Sequence, residues 1–150
     1  MVEVTSEMRL TEFGLGNESF AVNVVDITDI ITIPTITPIP QTDSAILGLF
    51  NLRGVITAII DIAPEFNLTR VRRTPASRVM VLEPKEELSF AVWVDYIADI
   101  TSIQEEEIMP VPKGISGGNL LAGVFNRGKQ AISIINPISF ASMDKYASYR

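Results

Sequence analysis

The sequence predicts an all-β protein, either paired small β-barrels or a β-sandwich. Three observations lead there. Short runs rich in β-branched residues alternate with turn residues. Helix signals are weak throughout. The same ordered set of short motifs also occurs twice along the chain, as in folds built from a repeated unit.

Taken in order, Met8, Leu10 and Glu12 set against Arg9 and Thr11 suggest a first strand that turns through Gly14 to Asn17. Phe20, Val22 and Val24 alternate with Ala21 and Asn23, the period of a half-buried strand. Further strands are expected over Val55 to Ile60, Arg78 to Leu82, Leu88 to Val94, Leu121 to Phe125 and Ala131 to Ile135. Pro64-Glu65-Phe66 suits a helical turn or two, with proline at a tolerated first-turn position. Pro137 to Tyr146 suits a C-terminal helix. Gly14-Leu15-Gly16 and Gly114-Ile115-Ser116-Gly117-Gly118 complete no phosphate-binding pattern and read as turns.

The repeat aligns Ser19-Phe20-Ala21-Val22-Asn23-Val24 with Ser89-Phe90-Ala91-Val92-Trp93-Val94, and Ile27-Thr28-Asp29-Ile30 with Ile97-Ala98-Asp99-Ile100. Pro38-Ile39-Pro40 answers Pro110-Val111-Pro112, and Gly48-Leu49-Phe50-Asn51 answers Gly123-Val124-Phe125-Asn126. Arg53-Gly54 answers Arg127-Gly128, and Ile59-Ile60-Asp61 answers Ile134-Ile135-Asn136. The offset grows from 70 (Phe20 to Phe90) to 75 (Ile59 to Ile134), so small insertions separate the copies. The expected organisation is a single domain over 1–150 built by internal duplication, about 19–66 and 89–140.

Composition narrows the function. With 47% apolar residues in 150, the chain can bury a substantial core. The chain contains no Cys and no His, which removes disulfides, thiolate and imidazole chemistry and the usual zinc ligands. Asp26, Asp29, Asp95 and Asp99 recur as repeat-related carboxylates with nothing to set one against another, so solvated or capping roles are expected. No enzyme activity and no cofactor are expected. A net charge of −6 argues against nucleic acid as a partner. No apolar run reaches the roughly 18 residues of a membrane span, and Met1 to Thr5 lack a secretory start, so a cytoplasmic location is expected, in which the Asn17 and Asn67 sequons carry no glycan.

Three segments stand out as candidates for binding. Ile30, Ile31, Ile33, Ile36 and Ile39 are interrupted by Pro34, Pro38 and Pro40, which bars a central strand throughout. They form either core or an exposed apolar surface; the matching region of the second copy carries Gln104-Glu105-Glu106-Glu107. In Gly48-Leu49-Phe50-Asn51-Leu52-Arg53-Gly54, the Arg53 guanidinium can take a carboxylate in bidentate fashion, or Asn51 and Arg53 can close a turn with Asp61 or a backbone carbonyl. Arg70, Arg72, Arg73 and Arg78 form either a solvated connector or a docking site for an acidic partner.

Phe20-Ala21-Val22, Ile27-Thr28-Asp29-Ile30, Pro38-Ile39-Pro40, Gly48 to Ile56 and Ile59-Ile60-Asp61-Ile62 together resemble the CheW-like family of chemotaxis coupling proteins. The second half fits through Phe90-Ala91-Val92-Trp93-Val94-Asp95 and Pro110-Val111-Pro112, so the resemblance covers about residues 7 to 140. It implies two intertwined small five-stranded SH3-like β-barrels around a shared core. It also implies a scaffold bridging a chemoreceptor cytoplasmic tip to the regulatory domain of a CheA-type histidine kinase. Partner-binding positions implied are Arg53 for the receptor, Ile27, Asp29 and Gly48 for kinase or receptor, and Asn51 within the same motif. The same residues would serve a coupling protein of a non-chemotaxis kinase pathway; a small-ligand-binding β-barrel is the alternative of another class. Asn126-Arg127-Gly128-Lys129 departs from the family pattern, which puts the second Arg-Gly pair in question.

Overall fold

The computed structural model describes residues 6–40 and 44–143. The strands are β1 Glu7–Leu15, β2 Glu18–Asn23, β3 Ile27–Ile31, β4 Ile46–Leu52, β5 Val55–Ile60, β6 Arg78–Lys85, β7 Leu88–Val94, β8 Tyr96–Gln104, β9 Leu121–Arg127 and β10 Gln130–Ile135. One short helix, α1 Pro137–Ala141, follows β10. A single 3₁₀ turn forms over Ala63–Phe66, where helical geometry was expected.

The fold is all-β, in two five-stranded sheets. The first runs β8-β1-β2-β10-β9 and the second β3-β6-β7-β5-β4. Exchanging β1–β5 for β6–β10 converts one order into the other. Registers follow the same exchange: Ala21 lies opposite Ile134 in the parallel β2/β10 pair, and Ala91 opposite Ile59 in β7/β5. Each half of the chain therefore contributes strands to both sheets, which is the intertwining expected. In each sheet the segment that follows one edge strand, β3 or β8, reaches the other edge strand through an isolated bridge, Thr37 with Leu49 and Met109 with Val124.

The buried side chains form three apolar clusters. Leu10, Ala21, Ile103, Phe125, Ile132 and Ile134 fill the first sheet. Phe50, Ile59, Val79, Val81, Ala91 and Trp93 fill the second. Between the sheets lies the shared core, which includes Phe13, Phe20, Val22, Met80, Phe90 and Val92. Central strands β2 and β7 thus bury both faces, as the continuous apolar run Phe90–Val94 requires. The half-buried reading of Phe20 to Val24 is corrected on this point: Ala21 is as buried as its neighbours, because a second core covers its face. Val24 leaves the strand, for Asn23 Oδ1 accepts the Val25 N–H at 3.1 Å and starts a 3₁₀ turn over Val24–Asp26.

Three other expectations change. β3, β4 and β8 were not foreseen as strands. Gly14 lies inside β1 rather than in a turn, where it makes room for the Tyr96 ring packed over it. α1 ends at Ala141, where Ser142 turns its hydroxyl back onto the Ile138 carbonyl at 2.8 Å. The expected helix residues 144–146, like Met1 to Thr5, lie outside the described residues.

Asp61 fastens the connection between β5 and β6. It is fully buried, and its two carboxylate oxygens accept the N–H groups of Ala63 and Val71, each at 3.1 Å. Burial pushes its carboxyl above the ordinary value while those N–H groups pull it back. Replacing Asp61 by Ala strands both donors, and we expect a loss of about 2–4 kcal/mol. Urea denaturation followed by Trp93 fluorescence measures it; an unchanged midpoint would remove Asp61 from the framework.

Candidate protein-docking site

The β4–β5 hairpin is set by its turn. Leu52 pairs with Val55, leaving Arg53 and Gly54 as a two-residue loop with φ of 48° and 87°. Both positive angles match the type I′ turn, whose twist suits a tight hairpin. Gly54 tolerates this freely, whereas Arg53 is held there by structure around it. The Asn51 side-chain oxygen accepts the Gly54 N–H at 2.7 Å and closes the turn.

From that turn Arg53 reaches β3 at the opposite edge of the curled sheet. Its Nη1 donates to Asp29 Oδ1 at 2.8 Å and its Nη2 to Asp29 Oδ2 at 3.0 Å. This is the bidentate fork that guanidinium and carboxylate planes favour. Arg53 thus finds its carboxylate in Asp29, not in Asp61. The Asp29 side chain is 16% exposed and that of Arg53 71%, so the cation faces solvent over a largely covered anion. The hydrogen bond from Arg53 holds the Asp29 carboxyl below its ordinary value, and the same contact raises the guanidinium. Thr28, Leu52, Thr57, Glu83 and Ser89 line the shallow cleft beneath the pair.

The structure brings Asp29, Asn51 and Arg53 together and places Gly48 and Ile27 elsewhere. Gly48 is buried in β4 with φ of 148°, and a Cβ there would fall 2.5 Å from the Thr37 carbonyl oxygen. Its repeat mate Gly123 has the Met109 carbonyl oxygen 3.1 Å from the same point. Glycine is needed so that the proline-containing segment can cross the strand and form its bridge. A partner meets Gly48 only through that segment. Ile27, at the start of β3, is half-buried against the shared core. Among the five isoleucines, Ile31, Ile33 and Ile36 pack on the second sheet's cluster and Ile39 on the shared core. Only Ile30 of that set is exposed, at 42%.

The residues missed are Val55 and Ile56, which leave the turn with 61% and 63% exposure. Their sequence gives the signal of a buried strand, since they open the apolar run to Ile60; only the hairpin's projection reveals them. A guanidinium, a carboxylate and two bare aliphatic side chains are the kinds of group that protein interfaces use. Among the described residues no acidic cluster could hold a metal ion, and no helix is long and apolar enough to cross a membrane.

The second half builds its hairpin differently. Arg127 pairs with Gln130, so the turn is Gly128-Lys129 and Arg127 occupies the place of Leu52. Its guanidinium bonds the buried Glu12 carboxylate at 2.6 Å, with Asp99, the counterpart of Asp29, at 3.8 Å. Thr101 also donates to Glu12. The Arg-Gly pair is therefore not equivalent in the two hairpins.

The Asp29–Arg53 pair has a pH signature. Because the folded carboxyl is depressed, its contribution is present above the unfolded value and is lost as pH falls through the lower folded one. We expect carboxyl NMR to show Asp29 titrating below the usual carboxylate range, moving upward in Arg53→Ala. An identical Asp29 titration in both proteins would mean that the fork does not persist in solution.

Residues 9–144 match the model of the CheW-like domain family. The chain is 26% identical over 124 residues to the chemotaxis protein CheW of Helicobacter pylori, covering 82% of this chain and 74% of that protein. It is 23% identical over 135 residues to the CheW of Treponema pallidum, covering 87% and 79%. With the CheW of Klebsiella aerogenes it shares 33% identity over 101 residues, 67% of this chain and 60% of that one. The crystal structure of the scaffolding protein TtCheW from Thermoanaerobacter tengcongensis superposes with a TM-score of 0.81 at 24% identity, covering 91% of this chain and 88% of that chain, a likeness of fold. Two curled five-stranded sheets sharing a core, carried by a match over nearly the whole sequence, make this chain a member of the CheW-like domain family.

Proposed function

We propose that this protein couples chemoreceptors to a CheA-type histidine kinase, holding the receptor's cytoplasmic tip and the kinase's regulatory domain in one complex. The family match and the chemotaxis CheW relatives support a scaffold rather than an enzyme. The observation that carries the reading is the solvent-facing Arg53, fixed by Asp29 and flanked by exposed Val55 and Ile56. In the proposed complex, Arg53 and the hairpin meet a receptor helix. Ile27, Asp29 and the segment held over Gly48 shape the surface shared with the kinase. The protein works in the cytoplasm, reaching the membrane only through receptor assemblies, and its single domain derives from duplication of about 19–66 and 89–140.

Modest interfaces of this kind depend on a few anchors more than on total area. Arg53→Ala is therefore expected to weaken capture of a receptor cytoplasmic fragment by about tenfold or more while leaving the melting temperature near that of the parent. Arg53→Lys, which keeps charge but loses the fork, should fall between the two. Full co-sedimentation of Arg53→Ala with receptor assemblies would overturn the assignment. Gly48→Asp is expected to weaken kinase binding by displacing the segment around Thr37; calorimetry showing parental affinity would exclude that segment from the kinase surface.

A further inference from the structure

Four arginines, Arg70, Arg72, Arg73 and Arg78, occur within nine residues of a chain whose net charge is −6. Among the described residues no carboxylate lies within ion-pair distance of any of them. Two are occupied with uncharged groups. Arg70 donates to the Ser44 carbonyl at 2.8 Å and to its hydroxyl. Arg78 donates to the carbonyls of Pro75 and Ser77 at 3.0 and 2.7 Å. Arg73 makes no such contact and stands between two adjoining clefts.

One cleft, of ≈ 410 Å³, is lined by Ile33, Pro34, Thr35, Ile36, Arg73 and Trp93. Trp93 is 8% exposed, and its indole Nε1 is buried without any hydrogen-bond partner. That atom is closed to solvent, and it is the ring that forms part of the cleft wall. The neighbouring cleft, of ≈ 460 Å³, adds the hydroxyl residues Thr32, Thr74 and Ser77 beside Arg73 and Arg78. A guanidinium without a partner among the described residues and apolar walls that include the Trp93 ring thus meet in one place.

We propose that this cleft is a second docking site, which takes a carboxylate side chain from an extended acidic segment of a partner protein. One planar cation suits a singly charged, planar anion. The isoleucine and proline walls suit the aliphatic stem behind that carboxylate. The site does not involve Arg53 and stands or falls independently of the coupling function.

Trp93 is the only tryptophan in the chain, so the site carries its own reporter. The test titrates the protein with an acetylated hexaglutamate peptide, with inorganic phosphate and with a hexalysine peptide, following Trp93 emission. We expect a saturable change with hexaglutamate alone, weakened at least about fivefold by Arg73→Ala and by added salt, and retained in Arg53→Ala and Arg9→Ala. Anisotropy of a dye-labelled hexaglutamate should show the same weakening for Arg73→Ala, which alters an exposed side chain and should melt near the parent. Absence of a saturable response, or equal affinity in Arg73→Ala, overturns the proposal. So does an equal response to phosphate, which would indicate unselective anion binding.

Discussion

The structure depends on two strands that have no outer face. β2 and β7 each divide a lobe interior from the shared core, so every side chain along their middle is enclosed. Such strands need small residues where space is tight and large ones where it is open. Ala21 and Ala91 point into the lobes, while Phe20 and Phe90 point into the common core. The parallel partners β10 and β5 lie against these same residues. A polar substitution in the buried middle of either strand has no solvent to turn toward.

That framework presents one hairpin differently from the other. In the second sheet Leu52 packs inward beside the cluster holding Val81, and the arginine that follows is free to swing over the rim. In the first sheet the corresponding places are taken by Arg127 and Glu12, which face one another as ions. Apolar packing in one lobe leaves its cation available, whereas an internal ion pair in the other consumes it. The two hairpins have the same length and turn at equivalent places, so it is the arginine's position, in the turn as Arg53 or on the strand as Arg127, that changes its employment.

Much of this was legible in the residues. The motif pairs from Phe20 with Phe90 to Ile59 with Ile134 reappear as matching ladder positions, because residues in equivalent environments keep equivalent sizes. The grouping of Asp29 with Arg53 was accessible only through family resemblance, since 24 residues separate them and the contact requires the sheet to curl. Gly48 was singled out as a partner position, yet its visible duty is to let another backbone pass, a constraint that needs three dimensions to see. The isoleucines between the prolines could not be sorted in sequence. Their exposure depends on how the segment crosses β4, and that crossing follows no strand or helix period.

The exchange of strands between halves also dictates an order of assembly. The second sheet, β3-β6-β7-β5-β4, has all its strands once Val94 has left the ribosome. The first sheet must wait for Ile135: β1 has its edge partner β8 once Gln104 is made, but β2 lacks its parallel neighbour until β10 is complete. Distant pairings of this sort form late, because the loop must close before any contact rewards it. The nascent chain thus holds every strand of the lobe bearing Arg53 before it holds every strand of the other. Cutting the chain between β5 and β6 would accordingly yield not two small domains but two incomplete pieces, each needing the other's strands to fold.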